Sequence, residues 1–105
     1  MTLSNSFVHH VFFRLKNPSS SEDRTALVAG LKALAVPDLI TGHHIGIPAG
    51  TSRDVVDNAY AVSWLVIFAT AADQDAYQTH PIHLEFVKTC SHLWEKVTVY
   101  DSIGA

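Results

Sequence analysis

With 105 residues, of which 48% are hydrophobic and 16% charged, the chain is long enough to bury one core without disulfides or a structural metal. Its net charge of −3 and its scattered Lys and Arg residues exclude the clustered basic footprint of a nucleic-acid binder. A single cysteine, Cys90, excludes an intrachain disulfide and fits a reducing compartment.

The charged fraction lies well below the ~25% of ordinary soluble domains, so part of the surface is expected to be covered by a partner. Met1-Thr2-Leu3-Ser4-Asn5-Ser6 lacks the basic region of a secretory leader, and the longest apolar stretch, 59–69, is about half of the ~20 residues a membrane helix needs. The expectation is a cytoplasmic chain with no membrane contact. No repeat, low-complexity tract or linker appears, so residues 1–105 read as a single domain.

Residues 7–15 alternate as a strand, with Phe7, His9, Val11, Phe13 and Leu15 on one face and His10, Phe12 and Arg14 on the other. Asn17-Pro18 breaks it. Ser19-Ser20-Ser21-Glu22 matches a capping box, and Leu27, Leu31, Leu34 and Ala35 follow at helical spacing, which predicts a helix over 21–35 ended by Pro37 and Asp38. A second strand is expected over 39–47, carrying His43 and His44 and stopped by Pro48, then a hairpin loop over 49–58 and a third strand over 59–69. Helical patterns occupy 73–79 and 82–95, the latter with Ile82, Phe86 and Leu93 on one side and His83, Val87, Cys90 and Trp94 on the next. A short β-branched strand is expected over 96–101. The order β-α-β-β-α-β is the split βαβ arrangement of an α+β, ferredoxin-like antiparallel sheet.

The third strand is apolar on both faces. Val62, Trp64, Val66 and Phe68 line one, and Ala61, Leu65 and Ile67 the other with only Ser63 interrupting. Helices on one side of an antiparallel sheet cover one face and leave the other to alternate with polar residues. The second face therefore calls for another sheet, most simply that of a second copy of the chain, closing a dimeric α+β barrel across a twofold axis. The competing reading is a central strand with a greasy solvent face, an aggregation liability.

Seven histidines raise the question of a metal, and His80-x-x-His83 has one-turn spacing. Adjacent histidines on a strand point to opposite faces, so neither His9-His10 nor His43-His44 chelates as a pair. No Cys cluster, HExxH, Gly-rich phosphate loop, Ser-His-Asp pattern or paired-carboxylate motif stands out, and neither metal nor cofactor is expected. His80-Pro81-Ile82-His83 reads as a helix start, with proline at the first position, His80 near the cap and His83 in the first turn. The positive helix end disfavours an imidazolium there, which suits His83 to act as a general base or hydrogen-bond acceptor. Tyr77 lies one turn earlier and can face the same cavity. The competing reading, which carries more weight on residues alone, is that Tyr77 and the histidines tie the helical segments to the sheet. His9, on the apolar face with Val11 and Phe13, reads as a satisfied core residue or a pocket rim. Cys90 reads as inert packing, and Trp64 and Trp94 as core anchors.

Three groups together carry a resemblance: His9 with Val11, Phe13 and Lys16; Tyr77-Gln78-Thr79-His80-Pro81-Ile82-His83; and Leu93-Trp94-Glu95-Lys96 leading to Tyr100-Asp101. The chain resembles the stress-responsive A/B barrel family over nearly its whole length. That implies a homodimeric barrel with helices outside. Most members have no established activity, but a plant polyketide cyclase of the family closes a linear polyketide by aldol condensation with a tyrosine and a histidine. Those positions resemble Tyr77 and His83, and its strand-one pocket histidine resembles His9. It carries another histidine where this chain has Val62. The function implied by the resemblance is that of a homodimer of unassigned activity, binding a small, partly apolar or phenolic molecule in a pocket of His9, Val11, Phe13, Tyr77, His80 and His83. The alternative is a cofactor-free enzyme of polyketide-cyclase or monooxygenase type, with His83 as general base and Tyr77 steadying the oxyanion.

Overall fold

A computed structural model describes residues 3–36 and 38–105. Strand β1 (Phe7–Leu15) leads to helix α1 (Ser21–Leu34), strands β2 (Gly42–Gly46) and β3 (Val62–Phe68), helices α2 (Ala71–Gln78) and α3 (Pro81–Cys90), a 3₁₀ turn (Ser91–Leu93) and strand β4 (Trp94–Ile103). The four strands form one antiparallel sheet in the order β2-β3-β1-β4. This is the expected ferredoxin-like α+β fold. No described helix is long and apolar enough to cross a membrane.

Local chemistry moves several boundaries. Ser20, not Ser19, caps α1, and its Oγ accepts the Asp23 amide at 3.1 Å. The Ser20 amide bonds to the Asn17 carbonyl at 3.0 Å, so at the actual cap the reciprocal bond from the residue three on, Asp23, is replaced by a turn. The helix stops at Leu34, with Ala35 already extended, and the expected stop signal at Pro37 falls outside the described residues, as do Met1 and Thr2 of the leader reading. The second strand begins only at Gly42, after Thr41 has tied both its amide and its hydroxyl to the Ile67 carbonyl. The third is trimmed to 62–68. The last helix ends at Cys90, five residues short of the predicted 95, so Trp94 and Glu95 belong to β4. A register shift between Arg14 and Leu15 sets Lys96 and Trp94 opposite them, which leaves Glu95 as the extra residue of a bulge.

The core lies between the helices and one sheet face. Val62, Trp64, Val66 and Phe68 of β3 are at most 1% exposed, and Leu27, Leu31 and Leu34 of α1 meet them at helical spacing. On α3 the buried residues are Phe86 and Cys90. Ile82 and Val87, one from each of the two predicted sides, are 40% and 39% exposed, because the helix turns the 83-86-90 stripe to the sheet. The opposite sheet face carries Leu65 and Ile67, only half-buried within one chain.

Helices α1 and α3 meet closely at Gly30. A Cβ there would stand 2.6 Å from the Cys90 sulfur. Gly30→Ala is therefore expected to lower stability by ~1 kcal/mol, overpacking outweighing the gain in helix propensity. The urea midpoint should recover when Cys90→Ala is added. If it does not, the contact is not the cause.

Candidate functional site

Three side chains converge on the helix side of the sheet: His9 from β1, Tyr77 from the end of α2 and His83 from the first turn of α3. The turn between the two helices is held by His80, whose Nδ1 accepts the Ile82 amide at 3.1 Å with Pro81 at the first helical position. His80 is thus a cap, and its ring is engaged with its own helix. The tight connection sets the Tyr77 and His83 rings edge to face, centroids 4.8 Å apart. Phe68 backs Tyr77 at 5.1 Å, and the His9 ring lies 6.3 Å from it.

His9 is 6% exposed and answered across the sheet. Strand register sets it opposite Asp101, and its Nδ1–H donates to Asp101 Oδ1 at 2.6 Å. A carboxylate only accepts, so in the neutral ring the bond leaves Nε2 as the acceptor end. Tyr77 is 1% exposed, and its Oη accepts from Trp64 Nε1–H at 3.1 Å. Burial pushes the phenol up to about 12, the Trp64 bond opposing it. The group therefore stays protonated at neutral pH and keeps its own proton as a donor. His83 is half-buried and held below the usual histidine value, first by burial, then by His9, with the Gln78 backbone opposing. Its Nδ1 is buried and, apart from the weak pull of the Gln78 backbone on the ring, makes no well-formed hydrogen bond among the described residues.

Val11 and Phe13 are 5% and 3% exposed members of the core, and the ring neighbours of Phe13 are Phe86 and Trp94. Two cavities lie elsewhere. One of about 420 Å³ runs between α1 and α3 along Gly30, Ile82 and Phe86, and one of about 310 Å³ opens on the far sheet face. Neither is lined by His9, Tyr77 or His83. Among the described residues no three His, Cys, Asp or Glu side chains stand close enough to hold a metal ion.

Two members of this constellation carry no signal in the sequence pattern. Asp101 stands there only as a neighbour of Tyr100, and nothing in the spacing connects positions 9 and 101. Trp64 reads as an anchor without regard to its N–H, although a buried indole donor calls for a partner. Chemically, the cluster offers a neutral imidazole, a phenol able to donate, and a carboxylate-oriented second imidazole. A proton can be accepted at His83 and a developing negative oxygen steadied by Tyr77.

The family model of the Stress responsive A/B Barrel Domain matches residues 7–103. No curated protein compared with the chain matches it. Among solved structures, the chain is similar to a Dabb family protein with a ferredoxin-like fold from Mesorhizobium loti, at 24% identity and TM-score 0.77, covering 95% of this chain and 97% of that one. It is equally similar in shape to a hydroxynitrile lyase from Passiflora edulis, at 21% identity and TM-score 0.77, with 97% and 95% covered. A dimeric ferredoxin-like protein of unknown function from Thermobifida fusca follows at 16% identity and TM-score 0.76, with 93% and 90% covered.

Proposed function

This chain belongs to the stress responsive A/B barrel domain family, and from that premise we propose that it works as a homodimer joined through its open sheet faces and binds a small, partly apolar or phenolic molecule at His9, Tyr77 and His83. The observation that carries the ligand is the orphaned Nδ1 of His83. A buried ring nitrogen without a partner costs ~1–3 kcal/mol, and a hydroxyl placed beside it removes that cost. The Tyr77, Phe68 and His9 rings supply the apolar surround. The half-buried open face of β3 and the dimeric structural neighbours support the homodimer. Composition and the lone buried Cys90 support a cytoplasmic location.

The test is titration with 4-butylphenol, read on the imidazole nitrogen resonances. The His83 Nδ1 signal should move, and His83→Ala should weaken binding about tenfold, the worth of one hydrogen bond of ~1.4 kcal/mol. No movement of the His83 signal at saturating phenol would sink the pocket.

The second reading is a cofactor-free enzyme of polyketide-cyclase or monooxygenase type, with His83 as base and Tyr77 as oxyanion donor. The lowered pKa of His83 favours it, since the base is then deprotonated at neutral pH. The hydroxynitrile lyase neighbour lends the fold a precedent for catalysis and nothing about this chain's substrate. Turnover of β-polyketide and phenolic substrates should fall with pH only below about 6.5, the unperturbed value, because His83 takes a proton less readily than a free histidine. The sign for stability is the same. A lowered native pKa contributes its full stability above the unfolded value and loses it as pH falls from there through the native one. His10, also lowered by burial and by His44 and His9, adds in the same direction. Equal turnover by wild type and His83→Ala would remove the base from the mechanism.

A further inference from the structure

The cavity of about 310 Å³ on the open sheet face has a different chemistry from the histidine cluster. Its walls are Phe12 and Arg14 of β1, Lys96, Thr98 and Tyr100 of β4, and Asp57, Ala59 and Tyr60 of the loop before β3. Strand register explains the grouping: Arg14 lies opposite Lys96, Phe12 opposite Thr98 and His10 opposite Tyr100, so these side chains rise from one end of one face. Phe12 meets Tyr60 at 5.0 Å and Tyr100 at 6.0 Å, both edge-on, which makes a three-ring wall. Arg14 Nε–H donates to the Ala59 carbonyl at 3.0 Å and pins the loop, leaving the rest of its guanidinium fork free. Asp57 is occupied in turn with the Ala59 amide at 2.8 Å.

Neither Arg14 nor Lys96 forms an ion pair among the described residues, in a protein whose net charge is −3. This matters more if the sheets pack face to face, a step that rests on the homodimer proposed above. Packing the faces together takes Arg14 and Lys96 out of water with only the Asp57 carboxylate beside them. Positive charge enclosed in excess of its counterions is strongly unfavourable. Something anionic and separate from the chain answers it best.

We propose that this cavity is a second binding site that takes a small aromatic carboxylate, its ring against Phe12, Tyr60 and Tyr100 and its carboxylate between Arg14 and Lys96. The planar guanidinium fork matches a carboxylate, and Thr98 offers a further hydroxyl. The volume lies near the lower end of ligand pockets, ~300–1,000 Å³, which suits one ring bearing one acidic group.

Benzoate is the probe and benzyl alcohol its neutral counterpart, followed by amide chemical shifts with sedimentation on the same samples. Benzoate should move the Thr98 and Tyr100 amides and bind at least tenfold more tightly than benzyl alcohol. Lys96→Gln should weaken benzoate about tenfold, while Lys96→Arg should stay within about threefold of wild type. Equal affinity for the alcohol, no effect of Lys96→Gln in a protein with a native amide spectrum, or shifts centred on Tyr77 and His83 would each overturn the site. A monomer that binds benzoate in this way keeps the site and removes the dimer. A dimer that binds none does the reverse.

Discussion

Tyr77→Ala is expected to remove ~3–5 kcal/mol of stability, a large share of the ~5–15 kcal/mol that holds a domain of this size. Tyr77 is among the largest fully buried side chains, packed on Phe68, His9 and His83. Its loss opens a cavity in the middle of the cluster and strands the Trp64 indole N–H without its acceptor. Tyr77→Phe separates the two effects. It keeps the ring and loses only the bond to Trp64, so a cost of ~1–3 kcal/mol is expected. Urea unfolding followed by tryptophan fluorescence measures both. A Tyr77→Phe variant as stable as wild type would show that the bond contributes nothing, and a Tyr77→Ala cost below that of Tyr77→Phe would refute the packing argument.

Ile67→Asp should dissociate the proposed homodimer. Ile67 is half-buried on the open face, so a charge there costs the single chain little, whereas a twofold interface would enclose two copies of it. Like charges juxtaposed in an interface cost several kcal/mol, and about 4 kcal/mol raises the dimer Kd roughly a thousandfold. Sedimentation at micromolar concentration should show a monomer with an unchanged amide spectrum. A variant that remains dimeric would place the interface elsewhere. The same surface carries His44, Leu65, His10 and Tyr100 in one row across all four strands.

The elements with strong local signals are readable from the residues. Alternation over 7–15 names β1 to the residue, and the serine run announces α1, with an error of one position in which serine caps it. The 82–95 pattern misleads for a physical reason. Trp94 and Leu93 continue a helical period, but Trp94 opens β4 and enters the sheet opposite Leu15, and pairing with β1 outweighs the local preference. At the site, His80-Pro81-x-His83 predicts the cap and the place of His83 because capping is local chemistry. The helix terminus alone gives the direction of the His83 shift, whereas burial is its first cause, and burial depends on how α2 and α3 settle on the sheet. Asp101 beside His9 and the joining of Arg14 with Lys96 are matters of strand register, and the Trp64 donor meets Tyr77 only through the docking of α2 on the sheet. Register is set by the whole fold, and no spacing within one segment reports it.

The bond between His9 and Asp101 spans 92 positions of sequence and joins the inner strand to an edge strand. Its consequence lies in the timing of folding. Strand β1 is made first but cannot satisfy its second row of backbone groups until β4 has emerged, at a synthesis rate of ~5–20 residues per second. Until then its edge is open to foreign strands, with Phe7, Val11 and Phe13 along it. The entropy of closing so long a loop must be met before the pairing rewards it, which slows folding relative to a helical bundle of this size. A nascent chain of this kind is a natural client for chaperones until its last strand arrives.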